Sequence, residues 1–157
     1  MPMYCFLECT AGAYMTRPAQ TVTPETTLRE LGTLFAKRDF NAFPVVEQGK
    51  VVGIVTKFDL LKAFVFTTRE MVPHYDELMS RRVASVMTKA VVSVEPEAPL
   101  TRVLELMVSQ KARSFPVMAH ETELVGMISR EDIMRALKDS VGADGPLWGT
   151  RGQGLRP

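Results

Sequence analysis

The feature that most constrains this chain is an internal duplication with a period of about 72 residues. Residues 14–64 read YMTRPAQTVTPETTLRELGTLFAKRDFNAFPVVEQGKVVGIVTKFDLLKAF. Residues 86–137 read VMTKAVVSVEPEAPLTRVLELMVSQKARSFPVMAHETELVGMISREDIMRAL. One extra residue in the turn after His120 is the only gap that the alignment needs. Because self-similarity at a fixed period is the signature of one structural unit used twice, the sequence predicts two copies of the same fold.

Composition excludes several classes of protein. With 157 residues, of which 46% are hydrophobic and 24% are charged, the chain resembles an ordinary globular protein with a real core. The net charge of +1 gives no global field that attracts nucleic acid or acidic membranes, so neither is expected as a partner. No apolar run approaches the roughly 18 residues that span a bilayer, and the N-terminus lacks the pattern of a signal peptide. We therefore expect a cytoplasmic protein.

The cysteines and histidines do not form a recognisable metal or catalytic site. Cys5 and Cys9 are the only cysteines, and a zinc site needs about four ligands. His74 and His120 are the only histidines, and neither lies in a motif that pairs a general base with a nucleophile. The sequence therefore predicts no metal site, no catalytic residues and no required cofactor.

Each copy has the same predicted order of elements, namely strand, helix, strand, strand and helix, in a mixed α/β fold. The pairs Pro24-Glu25 and Pro96-Glu97 favour a helix entrance, and Thr27 with Glu30 forms a Thr-x-x-Glu capping box. Two short apolar runs around a polar turn then predict a hairpin in each copy. The closing helices are predicted from Lys57 to about Thr67 and from Arg130 to about Asp139.

The predicted divisions are an N-terminal segment (1–13), a first repeat (14–66), a linker (67–85), a second repeat (86–139) and a flexible tail (140–157). The linker is expected to contain a short helix around residues 74–79. Apolar residues recur along both closing helices, where they would either pair two chains or pack inside one chain. These residues are Leu60, Leu61, Phe64, Ile133, Met134 and Leu137.

Each copy places the same short motif at the turn from its last strand into its closing helix. The pattern is Gly-x-x-Thr/Ser-x-x-Asp with a basic residue after the hydroxyl, at Gly53, Thr56, Lys57 and Asp59 and at Gly126, Ser129, Arg130 and Asp132. A hydroxyl at a helix start lies beside unpaired backbone N–H groups, which favour a phosphate. A carboxylate one turn later can accept both hydrogen bonds of a ribose diol. The same pattern is also a capping box that needs no ligand, and the motif alone leaves both interpretations open.

Together these features resemble a tandem pair of cystathionine β-synthase (CBS) domains, a Bateman module. The resemblance rests on the Met-Thr pairs at 15–16 and 87–88, the Phe-Pro-Val runs at 43–45 and 115–117, and the two motifs above. It covers nearly everything except the first dozen residues and the tail. It implies two βαββα units related by a pseudo-two-fold axis, with two clefts between them that often bind adenosine nucleotides.

The resemblance also implies roles for individual residues. Asp59 and Asp132 would bind ribose hydroxyls, and the implied ligand is AMP, ADP or ATP, with S-adenosylmethionine as a further option. A position that often faces phosphate is Asn41 in one copy and Arg113 in the other, so the cleft with Arg113 is expected to accept more phosphate charge. Lys57 and Arg130, next to the motif hydroxyls, could supply charge to the phosphates. The full predicted binding set is Thr16, Asn41, Thr56, Lys57, Asp59, Thr88, Arg113, Ser129, Arg130 and Asp132.

Two functions of different classes follow from the sequence. The first is a regulatory module that binds adenosine nucleotides in the clefts between the repeats and signals to a protein partner or through its own oligomeric state. The second is a dimerisation or scaffold protein whose clefts are vestigial. A homodimer is the expected assembly. An enzyme is the least supported class, because no nucleophile, base and oxyanion donors can be assembled from the motifs.

Overall fold

The computed structural model describes residues 6–65 and 75–141. Within these ranges the chain divides into two compact units, which we name by their motif carboxylates. The Asp59 unit contains residues 19–65, 75–92 and 122–124, and the Asp132 unit contains residues 6–18, 93–121 and 125–141. Cys5, His74 and the tail after residue 141 lie outside the described residues, so the expectations about them stay predictions.

The order helix, strand, strand, helix occurs twice, as the duplication predicts. The elements are α1 (Ala11–Tyr14), α2 (Leu28–Lys37), β1 (Ala42–Glu47), β2 (Lys50–Thr56), α3 (Lys57–Lys62), α4 (Tyr75–Ser80), a 3-10 turn (Val83–Ser85), α5 (Leu100–Gln110), β3 (Ser114–Ala119), β4 (Glu123–Ser129) and α6 (Arg130–Val141). β1 pairs antiparallel with β2, and β3 pairs with β4. Across the described ranges, none of these helices has the length and apolarity that crossing a membrane requires.

The first strand predicted for each repeat is reduced to a single bridging residue. Val22 forms a parallel bridge with Val45 of β1, and Val94 forms the same bridge with Val117 of β3. The backbone N–H and C=O groups of Val22 form hydrogen bonds of 3.0 and 2.8 Å with β1. Those of Val94 form hydrogen bonds of 3.1 and 2.8 Å with β3. The predicted strand order is therefore confirmed, although the first strand is very short.

The turns of the two hairpins explain the gap in the repeat. β1 and β2 are joined by Gln48 and Gly49, whose φ angles are 50° and 75°. Two positive φ values in a two-residue turn match the right-handed twist of the flanking strands. β3 and β4 are joined by residues 120–122, in which His120 and Glu121 have φ angles of 53° and 61°. The extra residue lies in the loop, so the side chains of both hairpins keep the same faces.

Each unit has its own apolar core, built from equivalent positions of the two copies. The buried residues of the Asp59 unit include Val22, Leu28, Leu31, Phe35, Phe43, Val45 and Val55. Their equivalents in the Asp132 unit are Val94, Leu100, Val103, Met107, Phe115, Val117 and Ile128. Full burial of one such side chain contributes about 1.5–3 kcal/mol. Because the apolar positions match, both copies of the sequence stabilise the same arrangement of helix and hairpin.

The helix entrances differ from the prediction. Pro24-Glu25 and Pro96-Glu97 lie in turns, whereas α2 and α5 begin at Leu28 and Leu100. The start of α2 is set by Thr27, as the Thr-x-x-Glu pattern predicts, because its side chain accepts a hydrogen bond from the backbone N–H at position 30, at 3.2 Å. A threonine cap satisfies one of the unpaired N–H groups at a helix start, which a proline several residues earlier does not do.

The closing helices also differ from each other in length. α3 ends at Lys62, earlier than the predicted Thr67, because the N–H groups of residues 63–65 bond carbonyls three residues back. Such i to i+3 bonds tighten the last turn and stop the α-helix. α6 continues to Val141, close to the predicted end, and α4 confirms the short helix expected in the linker. The apolar residues of the closing helices divide between core and surface. Ile133 is buried in the core, whereas Leu61 and Met134 are exposed.

The segment before the first repeat packs on the second repeat. We call residues 9–16 the N-terminal arm. The N–H of Ala11 donates to the carbonyl of Ala98 at 2.9 Å, before α5. Thr16 exchanges both backbone hydrogen bonds with Met127 of β4, at 2.8 and 3.1 Å. The N-terminal arm therefore extends the sheet of the Asp132 unit beyond β4.

The segment before the second repeat makes the equivalent contacts with the first repeat. We call residues 81–88 the linker arm. The N–H of Val83 donates to the carbonyl of Thr26 at 2.7 Å, and Thr88 exchanges hydrogen bonds with Ile54 of β2 at 2.9 and 2.8 Å. Corresponding residues of the two arms are about 72 positions apart, the period of the repeat. The duplication therefore begins upstream of residues 14 and 86, where the sequence divisions were drawn.

Two candidate ligand sites at the strand-to-helix turns

The motif carboxylate of the Asp59 unit caps the helix that contains it. Asp59 lies at the start of α3 and is only 4% exposed. The N–H of Thr56 donates to Asp59 Oδ2 at 2.9 Å, and the N–H of Asp59 donates to Thr56 Oγ1 at 3.0 Å. This reciprocal pair is a capping box. The capping interpretation of the motif is therefore confirmed for the first copy.

The second copy has the equivalent contacts, with one additional hydrogen bond to its carboxylate. Asp132 is also 4% exposed. Both the N–H and the Oγ–H of Ser129 donate to Asp132 Oδ2, at 2.9 and 3.0 Å. The return bond from the N–H of Asp132 to Ser129 Oγ is longer, at 3.4 Å. Asp132 therefore caps α6 as Asp59 caps α3, but its Oδ2 accepts one more hydrogen bond.

A basic residue one turn later neutralises each carboxylate. Lys62 Nζ lies 3.0 Å from Asp59 Oδ1, and a guanidinium nitrogen of Arg135 lies 3.2 Å from Asp132 Oδ1. Sequence analysis did not single out these cations, although a basic residue three positions after each aspartate was an available signal. An ionised carboxylate has roughly four lone-pair sites, and Thr56 occupies one of them on Asp59 while Ser129 occupies two on Asp132. Both carboxylates can therefore cap a helix and still accept a hydrogen bond from a ligand.

The residues expected to face phosphate are held next to these caps by the backbone. The N–H of Lys57 donates to the carbonyl of Asn41 at 3.0 Å, and the N–H of Arg130 donates to the carbonyl of Arg113 at 3.0 Å. Arg113 is exposed, and Asn41 is half-buried. The backbone of Asn41 and that of Arg113 therefore lie beside the start of their closing helices, and the difference in charge between the two sites stays a prediction.

The two basic side chains after the hydroxyl residues have different neighbours. Lys57 Nζ lies 6.0 Å from the centroid of the Phe35 ring, against the core of its own unit. Arg130 Nε donates to the carbonyl of Ala112 at 3.3 Å. Both cations are thus positioned by their own unit, and Arg130 is the more exposed.

The two threonines of the Met-Thr pairs each join the motif of the other repeat. Thr16 pairs with Met127, two residues before Ser129, and Thr88 pairs with Ile54, two residues before Thr56. Two sets result, namely Asn41, Thr56, Lys57, Asp59 and Thr88 in the Asp59 unit, and Thr16, Arg113, Ser129, Arg130 and Asp132 in the Asp132 unit. The sequence indicated all of these residues, but only the structure shows which threonine accompanies which carboxylate.

The Asp132 unit contains a further connection that sequence analysis missed. A second guanidinium nitrogen of Arg135 donates to the carbonyl of Tyr14 at 2.8 Å, and Arg135 Cζ lies 5.4 Å from the centroid of the Tyr14 ring. The Tyr14 hydroxyl donates to Asp139 Oδ2 at 3.1 Å. Burial, followed by the hydrogen bond to Asp139, raises the pKa of Tyr14 above its ordinary value, so the hydroxyl keeps its proton. Arg135 therefore contacts both the motif carboxylate and the N-terminal arm.

Two equivalent sheet-and-helix units, each with a buried aspartate capping its closing helix, define a tandem α/β module. The chain belongs to the CBS domain family, whose model matches residues 11–66 and 83–139. Both matched spans begin within the two arms, upstream of residues 14 and 86. The expected CBS pair is therefore confirmed.

Individual relatives support the same conclusion. The uncharacterised protein MJ0188 of Methanocaldococcus jannaschii is 32% identical over 125 residues, which cover 78% of this chain and 42% of that protein. Protein MJ1225 of the same organism has a similar fold, with a TM-score of 0.78 at 22% identity over 87% of this chain and 50% of that one. The chain thus spans less than half the length of MJ0188 and half of the MJ1225 chain.

A third relative was solved with a ligand. The crystal structure of CBSX2 in complex with AMP has a TM-score of 0.68 and 25% identity, and the match covers 81% of this chain and 94% of that one. CBSX2 is a CBS-pair protein from Arabidopsis thaliana. Almost the whole of that chain is therefore matched by this one.

Proposed function

We propose that this chain is a regulatory CBS pair that binds adenosine nucleotides, with Asp59 and Asp132 accepting hydrogen bonds from ribose. The observation that carries this proposal is the lone-pair capacity that remains on two buried, charge-paired carboxylates at equivalent positions. The AMP complex of the related CBSX2 supports the choice of ligand. AMP is the first candidate, with ADP, ATP and S-adenosylmethionine as the others.

The remaining site residues are proposed to surround the ribose and the phosphate. In the Asp132 unit, Arg113 and Arg130 would offer two cations to the phosphate, whereas the Asp59 unit has Lys57 and the neutral Asn41. Positive charge stabilises phosphate oxygens, especially through a guanidinium fork. We therefore propose that the Asp132 site prefers the nucleotide with more phosphate charge. Thr56, Ser129, Thr16 and Thr88 would supply hydroxyl groups to the same ligands.

The proposed output is regulation of a partner protein or of the chain's own assembly. Ligand binding at one site can change the affinity of another surface by a coupling free energy of about 1–3 kcal/mol. We propose the nucleotide as a signal rather than as a substrate, because each motif carboxylate already caps its helix and pairs with a cation. A cytoplasmic location and the absence of catalysis stay predictions of the sequence.

Self-association is the second candidate, and it is favoured by one apolar surface. Phe58, Leu61 and Val65 are 68%, 64% and 72% exposed and follow one another at helical spacing along α3 and just beyond it. Exposed apolar clusters of this kind mark interaction surfaces. A second copy of the chain would give a symmetric contact in which the same residues meet.

Calorimetric titration with AMP tests the nucleotide proposal. The protein is first unfolded and refolded to remove carried-over ligand. Wild type is expected to bind AMP, and at a hundredfold above the dissociation constant the ligand should add about 2.7 kcal/mol to the free energy of unfolding. Absence of binding by the refolded protein would contradict the proposal.

Two conservative variants assign the sites. Asp59→Asn and Asp132→Asn keep an oxygen that can accept the capping hydrogen bond but lose the charge that strengthens a bond from ribose. Each is expected to weaken AMP at its own site by about 10–100-fold. Asp76→Asn is the matched control, because Asp76 is an exposed aspartate paired with Arg29 outside both sites. Full affinity in both site variants would leave capping as the sole role of the motif.

A further inference from the structure

Among the residues that the structure describes, the Asp132 site has a connection to the N-terminal arm that has no counterpart between the Asp59 site and the linker arm. Arg135 is the connecting residue, since its guanidinium group contacts Asp132 Oδ1 at 3.2 Å and the carbonyl of Tyr14 at 2.8 Å. A planar guanidinium can serve two acceptors at once in a fixed geometry. In the Asp59 unit, Lys62 lies 3.0 Å from Asp59 Oδ1 and 5.4 Å from the Phe58 ring centroid, both on its own helix α3.

The sequence of the two arms reinforces this difference. Tyr14 of the N-terminal arm corresponds to Val86 of the linker arm, three residues after the 3-10 turn begins. Valine offers neither an aromatic face for a cation nor a hydroxyl group. Tyr14 offers both, with Arg135 Cζ 5.4 Å from its ring centroid and its hydroxyl bonded to Asp139 at 3.1 Å. The N-terminal arm is thus fastened to α6 at two points, through Arg135 and through Asp139.

The oxygen Oδ2 of each motif carboxylate decides where a ribose diol can bind. Oδ2 of Asp59 accepts one hydrogen bond and keeps a free lone pair, so a diol can bind there without displacing Lys62. Oδ2 of Asp132 already accepts two hydrogen bonds from Ser129, so a diol must bind at Oδ1, where the Arg135 guanidinium lies 3.2 Å away. The bonds from Ser129 cap α6, whereas the Arg135 side chain is 54% exposed. Arg135 is therefore the group whose loss water can most readily compensate.

We propose that Arg135 couples ligand binding at Asp132 to the attachment of the N-terminal arm. A ribose diol at Asp132 displaces the guanidinium group from Oδ1, and the same movement breaks its contact with Tyr14. The arm, residues 9–16, is then held less firmly, while the linker arm is unaffected by ligand at Asp59. This coupling rests on the proposed nucleotide function. Arg135 is a positioning residue, because it holds the N-terminal arm in place until a ligand binds at Asp132.

Backbone hydrogen exchange measures the attachment of the arm directly. The informative amides are those of Ala11, Gly12 and Thr16, which donate to the carbonyls of Ala98, Pro96 and Met127 at 2.9, 2.8 and 2.8 Å. The experiment uses the full chain with the Asp59→Asn substitution, so that bound AMP is assigned to Asp132. Saturating AMP is expected to speed exchange in residues 9–16 several-fold and to leave residues 81–88 unchanged.

Two further variants separate coupling from a merely structural role of Arg135. In Arg135→Gln, exchange in the arm should already be fast, and AMP should add nothing while still binding. Arg135→Lys keeps a charge near Asp132 but lacks the fork that reaches Tyr14, so it should behave as Arg135→Gln does in exchange. Lys62→Gln in the Asp59 unit is the matched control. With it, exchange in the N-terminal arm should respond to AMP as it does in the protein with Asp59→Asn alone.

The outcomes are distinguishable by calorimetry on the same samples. Bound AMP with slower or unchanged exchange in residues 9–16 would overturn the coupling, as would an undiminished response in Arg135→Gln. Binding by wild type but not by Asp59→Asn would also overturn it, while leaving the nucleotide function in place at Asp59. Absence of AMP binding in both proteins would overturn the coupling and the proposed function together.

Discussion

Gly53 and Gly126 show why single residues of the motif are restricted in type. Each glycine is buried where an arm crosses the last strand of its unit. A Cβ at position 126 would lie 2.7 Å from the carbonyl oxygen of Thr16 and 2.8 Å from Met15 Sδ. A Cβ at position 53 would lie 2.9 Å from the carbonyl oxygen of Thr88. The glycines therefore permit close approach of the two Met-Thr pairs rather than an unusual backbone angle.

Substituting these glycines tests the contact between arm and strand. Gly126→Ala and Gly53→Ala are each expected to lower the free energy of unfolding by about 1–3 kcal/mol, because a backbone carbonyl must move to admit the methyl group. Gly32→Ala is the control, since its Cβ would have only Leu60 Cδ2 nearby, at 3.9 Å. Within α2 that change should add about 0.5–1 kcal/mol. Urea denaturation measures both, and losses of equal size at all three positions would contradict the crowding argument.

At the residue scale, sequence indicates candidate site residues but not the contacts between their side chains. The spacing of Thr56 and Asp59 indicated either a cap or a ribose contact, and the structure shows that the cap exists and leaves lone pairs for a ligand. The pairing of Asp132 with Arg135 and of Arg135 with Tyr14 was not predicted. Tyr14 and Arg135 are more than a hundred positions apart in the chain, so no local pattern connects them.

The helix starts of the two repeats differ although their sequences align. α2 begins after Thr27, which caps it with its side chain, whereas α5 begins after Pro99, which provides no side-chain cap. Proline can occupy this position because its fixed φ, here −61°, is compatible with a helix entrance. The pattern of apolar residues, which starts at Leu28 and Leu100, predicted both helices, whereas the Pro-Glu pairs at 24–25 and 96–97 form turns and do not mark the helix starts.

Removing the cap of α2 should cost more than removing an equivalent threonine inside the helix. Thr27→Ala is expected to lower the free energy of unfolding by about 1 kcal/mol, since the N–H at position 30 loses its acceptor. Thr33→Ala is the matched control, because the exposed Thr33 hydroxyl bonds the carbonyl of Arg29 within the same helix. Alanine is the better helix former, so this control should be neutral or slightly stabilising. Equal losses in the two variants, measured in urea, would refute the capping role.

At the scale of the whole molecule, the repeat predicted the family and the order of elements but not the composition of the compact units. The sequence divisions begin at residues 14 and 86 because the two copies are most similar from there onward. The structure extends the equivalence into the arms, where AGA at residues 11–13 matches VAS at residues 83–85 only in small or apolar character. Small and apolar residues are too common to reveal a repeat by themselves. Backbone hydrogen bonds between an arm and the other repeat do not depend on side-chain type, so the sequence does not show them.

The exposed surface of α3 makes a prediction about assembly. If Phe58, Leu61 and Val65 form the contact between two copies, Leu61→Glu should weaken the dimer at least about tenfold, because it places a charge where an apolar side chain would be buried. Val108→Glu on α5 is the control, since Val108 is equally exposed, at 71%, but lies outside this cluster. Sedimentation velocity at micromolar concentration measures the change. A wild-type monomer throughout that range would contradict self-association.

The position of the N-terminal arm has a consequence for the order in which the chain is made. The linker arm emerges from the ribosome about 30 residues after β2, its partner strand. These two parts of the Asp59 unit can therefore pair soon after they are synthesised. The N-terminal arm, in contrast, is made about 110 residues before its partner β4. At roughly 5–20 residues per second, the arm waits about 5–20 s for its partner. The N-terminal arm is therefore among the last parts of the Asp132 unit that can pair with their partners.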